Sequence, residues 1–153
     1  MVQGIVFGQG TGGGGETIYI YRDTTLTTNP SYAFDGDTDT YAQLLNNSSG
    51  GATYVAYTTF IPDTAQTFGT ITYKLYCNGA SSRSAVLQTL SGSTWTTRYT
   101  IPISNAVTYE NSTDLSSYGD VDGVRITTSA SSSRYSSART TEVRMYEMTA
   151  PIV

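Results

Sequence analysis

From Glu16 onward, apolar and polar positions alternate with a period of two. In Thr17-Ile18-Tyr19-Ile20-Tyr21, aliphatic residues alternate with hydroxyl and aromatic ones. Residues 53–60 repeat the pattern. In the stretch GTITYKLYC, Ile71, Tyr73, Leu75 and Cys77 share one face, and Thr72, Lys74 and Tyr76 share the other. Further short strands are predicted at 84–90, 94–100, 104–109, 122–129 and 140–148. The turn clusters NNSSGG, NGASS, SGS, SSYGD and SASSSRYSS separate them, and SASSSRYSSAR reads as a loop between the last two strands. No stretch holds a helical period for two turns, although Asn29 to Phe34 can form one short turn. About eight strands at spacings near ten residues predict an all-β fold, a single antiparallel β-sandwich of the jelly-roll type.

The 153 residues match one domain. Seven glycines between Gly4 and Gly15 leave residues 1–15 without side chains to build a core, so this stretch reads as a Gly-rich N-terminal arm. The sandwich is then 16–150, with a tail at 151–153. Thr and Ser supply 45 of 153 residues and Tyr 13, types that suit a pleated, half-buried surface. Lysine occurs once and His not at all, at a net charge of −4. No basic stripe is present to neutralise phosphates, so no nucleic-acid partner is expected. No apolar run approaches the length of a membrane span, so no membrane partner is expected either. The lack of His removes the commonest general base, and the expectation is a non-catalytic protein. Cys77 continues an apolar face without a His partner and reads as a small buried hydrophobe.

Gly8-Gln9-Gly10-Thr11-Gly12-Gly13 satisfies a bare GxGxxG pattern. An alternating strand follows it instead of a helix, so nucleotide binding is rejected. Asp35-Gly36-Asp37-Thr38-Asp39-Thr40 is the sharpest chemical feature. Carboxylates at alternate positions around a glycine turn repel one another unless a cation or hydrogen-bond donors lie between them. Calcium accepts carboxylate, hydroxyl and carbonyl oxygens, and these residues offer all three. The alternative is an Asp-rich turn whose side chains bond to local backbone. The EF-hand pattern fails, since its sixth position would be Thr40 and its twelfth Asn46. A glycosidase would need a second acid partner, and no second acidic cluster accompanies this one.

The segment from Asn29 through Tyr41, with Ala33-Phe34-Asp35-Gly36-Asp37 and Thr40 at its centre, resembles the "A-x-DGD-x-x-T-x-W" segment of discoidin-like domains. These are the coagulation-factor type C and galactose-binding-like β-sandwiches. Leu90 to Thr96 is similar to the family's "S-x-D-G-x-T-W" hairpin, Val121 to Ile126 to its late core strand, and Thr141 to Tyr146 to its closing strand. The matches keep the family's order over residues 29–148, and Tyr41 stands where Trp is frequent. The resemblance implies a structural Ca²⁺ held by Asp35, Asp37, Thr40 and Glu142. It also implies that Trp95 is a hairpin core residue, the alternative being a sugar-stacking platform. Sugar recognition normally adds polar groups at loop tips, where Asn46, Asn47, Asn78, Arg83, Arg134 and Tyr135 are candidates.

Two functional expectations follow. MVQGIVFGQG lacks the charged and apolar regions of a signal peptide, so a surface-like composition is reconciled by release through lysis. With the Gly-rich arm and the single Lys, that suggests a virion surface protein of a tailed bacteriophage. The form favoured is a capsid decoration (cement) protein, or else a tail or fibre component. Its partners would be a capsid or tail protein and further copies of itself, as a trimer by analogy. Gly10, Gly12, Gly13, Gly14, Tyr19 and Tyr21 are the candidate subunit contacts. The alternative is an extracellular, calcium-stabilised carbohydrate-binding (lectin-like) module whose partner is a surface glycan.

Overall fold

Alternation becomes strand wherever one row of side chains can leave water. The computed structural model describes residues 5–10, 17–46, 52–79, 81–132 and 140–153, with backbone alone at 5–10, 17–20, 46 and 52. In chain order the strands are β1 (Ile5–Gly10), β2 (Thr17–Thr24), β3 (Ala42–Asn46), β4 (Ala52–Pro62), β5 (Gln66–Thr67) and β6 (Thr70–Asn78). They continue with β7 (Ser82–Ser91), β8 (Thr94–Thr100), β9 (Val107–Asp114), β10 (Asp120–Val121), β11 (Gly123–Ser132) and β12 (Thr141–Thr149). Helical structure among the described residues is limited to 3-10 turns at Pro30–Phe34 and Ser116–Tyr118.

The strands form a six-stranded sheet in the order β1-β2-β4-β11-β7-β8 and a four-stranded sheet in the order β3-β12-β6-β9. Strands β10 and β5 make a small ladder, and every strand pairing is antiparallel. Ala56 and Phe60, Ala85 and Leu87, and Val124, Ile126 and Ala130 form the inner face of the larger sheet. Ile71, Tyr73, Leu75 and Cys77, with Val143, Met145 and Met148, cover them from the smaller one. Each fully buried aliphatic side chain in this layer contributes about 1.5–3 kcal/mol. The β-sandwich expected from the alternation is therefore the fold observed.

Several boundaries differ for local reasons. Strand β9 starts at Val107, whereas the pattern placed a strand at 104–109. Ala106 takes a left-handed φ of 56° and its N–H donates to Cys77 O, which turns the chain just before the strand. Strand β3 was not anticipated, because its five residues AQLLN do not alternate. Strand β11 runs on past the expected end at Ser129, through Ala130 to Ser132. Of the Gly-rich arm, residues 5–10 form the outermost strand of the larger sheet, paired from Ile5↔Arg22 to Gly10↔Thr17. Strand β2 meets β4 only from Ile20↔Pro62 inward, so the Thr17–Tyr19 end of this hairpin has no β4 partner. Gly12, Gly13 and Gly14 lie outside the described residues. The tail is docked: Gly69 N–H donates to Pro151 O at 2.8 Å and Val153 N–H to Thr67 O at 3.0 Å.

Cys77 is fully buried, and burial pushes its thiol pKa from 9.0 up to about 12. The thiolate is the reactive form, so its neutral-pH population falls about a thousandfold. A disulfide reagent is expected to leave the folded protein unlabelled over hours and to label one thiol promptly in denaturant. Rapid native labelling would contradict this packing.

Candidate functional site

The Asp-rich loop is held by what precedes it. Ala33 of the 3-10 turn is buried, and the Phe34 ring meets Phe60 edge-on at 5.4 Å. The chain then reverses at Gly36, whose φ of +80° favours glycine. Asp35 Oδ1 accepts from Asp37 N–H at 2.9 Å, and Asp37 Oδ1 accepts from Asp39 N–H at 2.8 Å. Thr40 Oγ1 donates to Asp35 Oδ2 at 2.7 Å. Lys74, the single lysine, donates from Nζ to Thr38 O at 2.7 Å. Asp35, Asp37 and Thr40 are thus together, as the motif required.

Glu142 is not with them. It is buried on β12 opposite Leu45 and Asn78, where its Oε1 accepts from Gln43 Nε2 at 2.9 Å and pairs with Arg144 Nε. The glutamate that reaches the loop is Glu147, whose Oε2 accepts from Gly36 N–H at 2.9 Å. Five residues of strand separate the two positions, roughly 16 Å. A bulge between Met145 and Glu147 resets the row and turns Glu147 toward the loop. Burial raises the Glu147 carboxyl above the usual range and the Asp35 charge adds to this, while the Gly36 amide and Arg22 act against it.

No three His, Cys, Asp or Glu side chains converge as a metal site among the described residues. The corner nevertheless holds oxygen types that calcium takes: the Asp35 and Glu147 carboxylates and the Thr40 hydroxyl. A half-open groove of about 300 Å³ adjoins it, lined by Thr38, Lys74, Glu110, Ser112 and Glu147.

The sugar candidates gather at the other end of the sandwich. There Asn46 faces Thr141, Asn78 faces Glu142, and Arg83 faces Ala130 across their ladders. The strand ends flanking 47–51 and 133–139 meet in the same place, although Asn47, Arg134 and Tyr135 lie outside the described residues. Asn78 belongs to the outer row of β6, whereas the exposed Arg83 continues the inner row of Ala85 and Leu87. Asn105, which sequence reasoning missed, accepts from Gly79 N–H through Oδ1 at 2.9 Å and fastens the β6–β7 connection. Tyr21 is exposed on the outer face of β2, beside Asp23.

Both outer faces carry an arginine set among rings. On the smaller sheet Arg144 lies 4.4 Å from the Tyr41 ring centroid and 4.5 Å from that of Tyr76, and its Nη1 donates to Tyr146 Oη at 3.0 Å. On the larger sheet Arg125 lies 4.5 Å from the Tyr57 centroid and 4.1 Å from that of Trp95. Trp95 was expected in the hairpin core. It is instead half-buried on the outer face, opposite Leu90, because the hairpin register puts it in the row that points away from the second sheet.

No protein-family model and no curated protein sequence matches the chain. Solved structures do. Chitosan-binding module 1 of a chitosanase/glucanase from Paenibacillus sp. IK-5 superposes with a TM-score of 0.50 at 18% identity, over 79% of this chain and 83% of that one. CpGH89CBM32-6 from Clostridium perfringens gives 0.53 at 14% identity, over 88% and 94%. A Ruminococcus gnavus GH29 fucosidase variant in complex with fucose gives 0.54 at 10% identity, over 86% of this chain and 24% of the other. Two of these three are binding modules, and in the third this chain matches only a part of an enzyme. The chain has the discoidin-like, galactose-binding-like β-sandwich fold.

Proposed function

We propose that this protein is a non-catalytic carbohydrate-binding module whose glycan site lies at the end of the sandwich bearing Asn78 and Arg83. The observation that carries the reading is that Asn78 and Arg83, at the facing ends of β6 and β7, share one end of the sandwich with Asn46 of the distant strand β3. The fold likeness to sugar-binding modules supports it, and the virion-surface expectation rests on sequence features alone, the Gly-rich arm and the composition among them. Arginine supplies several donors in a fixed geometry, and Asn supplies both donor and acceptor. Vicinal sugar hydroxyls need that combination.

Titration calorimetry with chitosan oligomers and with fucose- and galactose-terminated oligosaccharides tests this. One of these classes should bind, and Arg83→Ala should weaken it about tenfold, the worth of a charge-assisted hydrogen bond. Absence of binding across the panel, or wild-type affinity in Arg83→Ala, would sink the proposal.

We also propose that calcium is a structural partner of the Asp35 corner, with Glu147 taking the role that the sequence motif gave to Glu142. Asp35, Asp37, Thr40 and Glu147 are the residues that would hold it. The buried Glu147 carboxylate beside Asp35 supports this reading, because two neighbouring negative charges are relieved by a divalent cation.

A further inference from the structure

The outer face of the six-stranded sheet holds a cation that pairs with no carboxylate among the described residues. Arg125 sits at its centre, between Thr59 of β4 and Gln88 of β7. Its Nε donates to Gln88 Oε1 at 2.8 Å. Thr127 Oγ1 donates to the same oxygen at 2.8 Å, and Gln88 Nε2 donates onward to Thr97 Oγ1 at 3.2 Å. These bonds fix which way the Gln88 amide faces, and so they fix the guanidinium.

The Tyr57 and Trp95 rings hold it from the sides at cation–π range. Gly123 lies under the indole edge, where a Cβ would reach Trp95 Cη2 at an ordinary contact distance of 3.6 Å but crowd Phe60 O at 3.0 Å. Among the described residues nothing accepts a hydrogen bond from the two terminal nitrogens of Arg125, and no carboxylate pairs with it. Asp23 lies two strands away in the same row, with the Tyr21 hydroxyl 3.5 Å from its Oδ2. Arg144 on the opposite sheet is the contrast, because Glu142 and Tyr146 satisfy it from within the chain.

A guanidinium oriented by its Nε, with its outer fork unclaimed, is complementary to a planar carboxylate. The exposed Tyr57 beside it, with Val55 next in the same row of β4, offers apolar area against which a pyranose ring can lie, and Thr97, Thr127 and Ser129 border this strip with hydroxyls. We propose that this sheet face is a second glycan site, specific for uronic acid residues, with the sugar carboxylate bound by Arg125. The site shares no residue with the loop end and stands or falls separately from it.

Trp95 is the single tryptophan, so its fluorescence reports directly on this face. Titration with oligogalacturonate and with alginate oligomers should change that emission, and fully methyl-esterified oligogalacturonate should not. Raising the salt should weaken the binding, because the site is half open to solvent. Arg125→Gln should reduce uronate affinity at least about tenfold with the melting temperature preserved. Arg83→Ala should leave it unchanged, and Arg125→Gln should leave any loop-end glycan unaffected. Tyr57→Ala, which keeps the cation, should also weaken uronate binding and guards against a folding artefact in Arg125→Gln. Unchanged affinity in Arg125→Gln would overturn the proposal, as would equal binding of the methyl ester or no response to either uronate. An outcome in which inorganic sulfate or acetate competes as well as the oligomers would show an adventitious anion site only, and would overturn it too.

Discussion

Glu147→Gln is expected to abolish a calcium-dependent rise in melting temperature that Glu142→Gln leaves intact. At free calcium a hundredfold above its dissociation constant, selective binding to the folded state adds about 2.7 kcal/mol. For a chain of this length that is a rise of about 5–10 °C. Glu147 is the only one of the two that touches the loop, through Gly36 N–H. Glutamine keeps an oxygen for that amide but removes the charge, so the metal-free fold should survive the change. Glu142 is held by Gln43 and Arg144, and its loss acts on that pair and not on the loop. Calorimetric titration and melting in calcium and in chelator read both effects. No heat and no shift in the wild type would remove calcium from the account. Loss of the shift in Glu142→Gln would restore the assignment made from the sequence motif.

Gly79→Ala should cost about 2–3 kcal/mol and lower the melting temperature by about 5–10 °C. A Cβ at this position would lie 2.6 Å from Ser82 O, 2.7 Å from Ser131 N and 2.8 Å from Ser131 O. All three are backbone atoms, one of β7 and two of β11, and the connection is clamped by Ser81 N–H to Ser131 O and by Gly79 N–H to Asn105 Oδ1, so relief requires moving β11 or the turn. Gly92→Ala is the control. Its φ of +61° strains any other residue, but the space beside it is open, and it should cost only about 1–2 kcal/mol. Gly79 also fixes the end that carries Arg83, so glycan binding should fall with stability in Gly79→Ala and remain in Gly92→Ala. A Gly79→Ala protein that melts within 1 °C of wild type would show that the β6–β7 connection gives way easily.

Much of the fold was legible because a sheet face is written with period two. Strand β6 shows it plainly, with Ile71, Tyr73, Leu75 and Cys77 in one row, and all four are buried. Strand β9 was misplaced because it lies at a sheet edge, where VTYENSTD need not hide a row, so no alternation marks it. The Asp35 corner was legible for a different reason. Asp35, Asp37 and Thr40 are close in sequence, and turn geometry brings such residues together unaided. Its fourth member was not, since Glu142 and Glu147 both lie on β12, and strand register decides which of them comes level with the loop while the bulge sets the row of Glu147.

By itself the sequence determined the class of structure: an all-β sandwich, its buried rows, an Asp-rich turn and a thiol too deep to react. These follow from local periodicity and short-range bonding, which every window of the chain carries. Only the tertiary structure decided which glutamate meets the loop, that Trp95 faces outward, and that Arg125 stands among Tyr57, Gln88 and Trp95 with no carboxylate partner among the described residues. Those are properties of register between strands far apart in the chain. A shift of one residue there turns a side chain to the opposite face while leaving the local pattern unchanged.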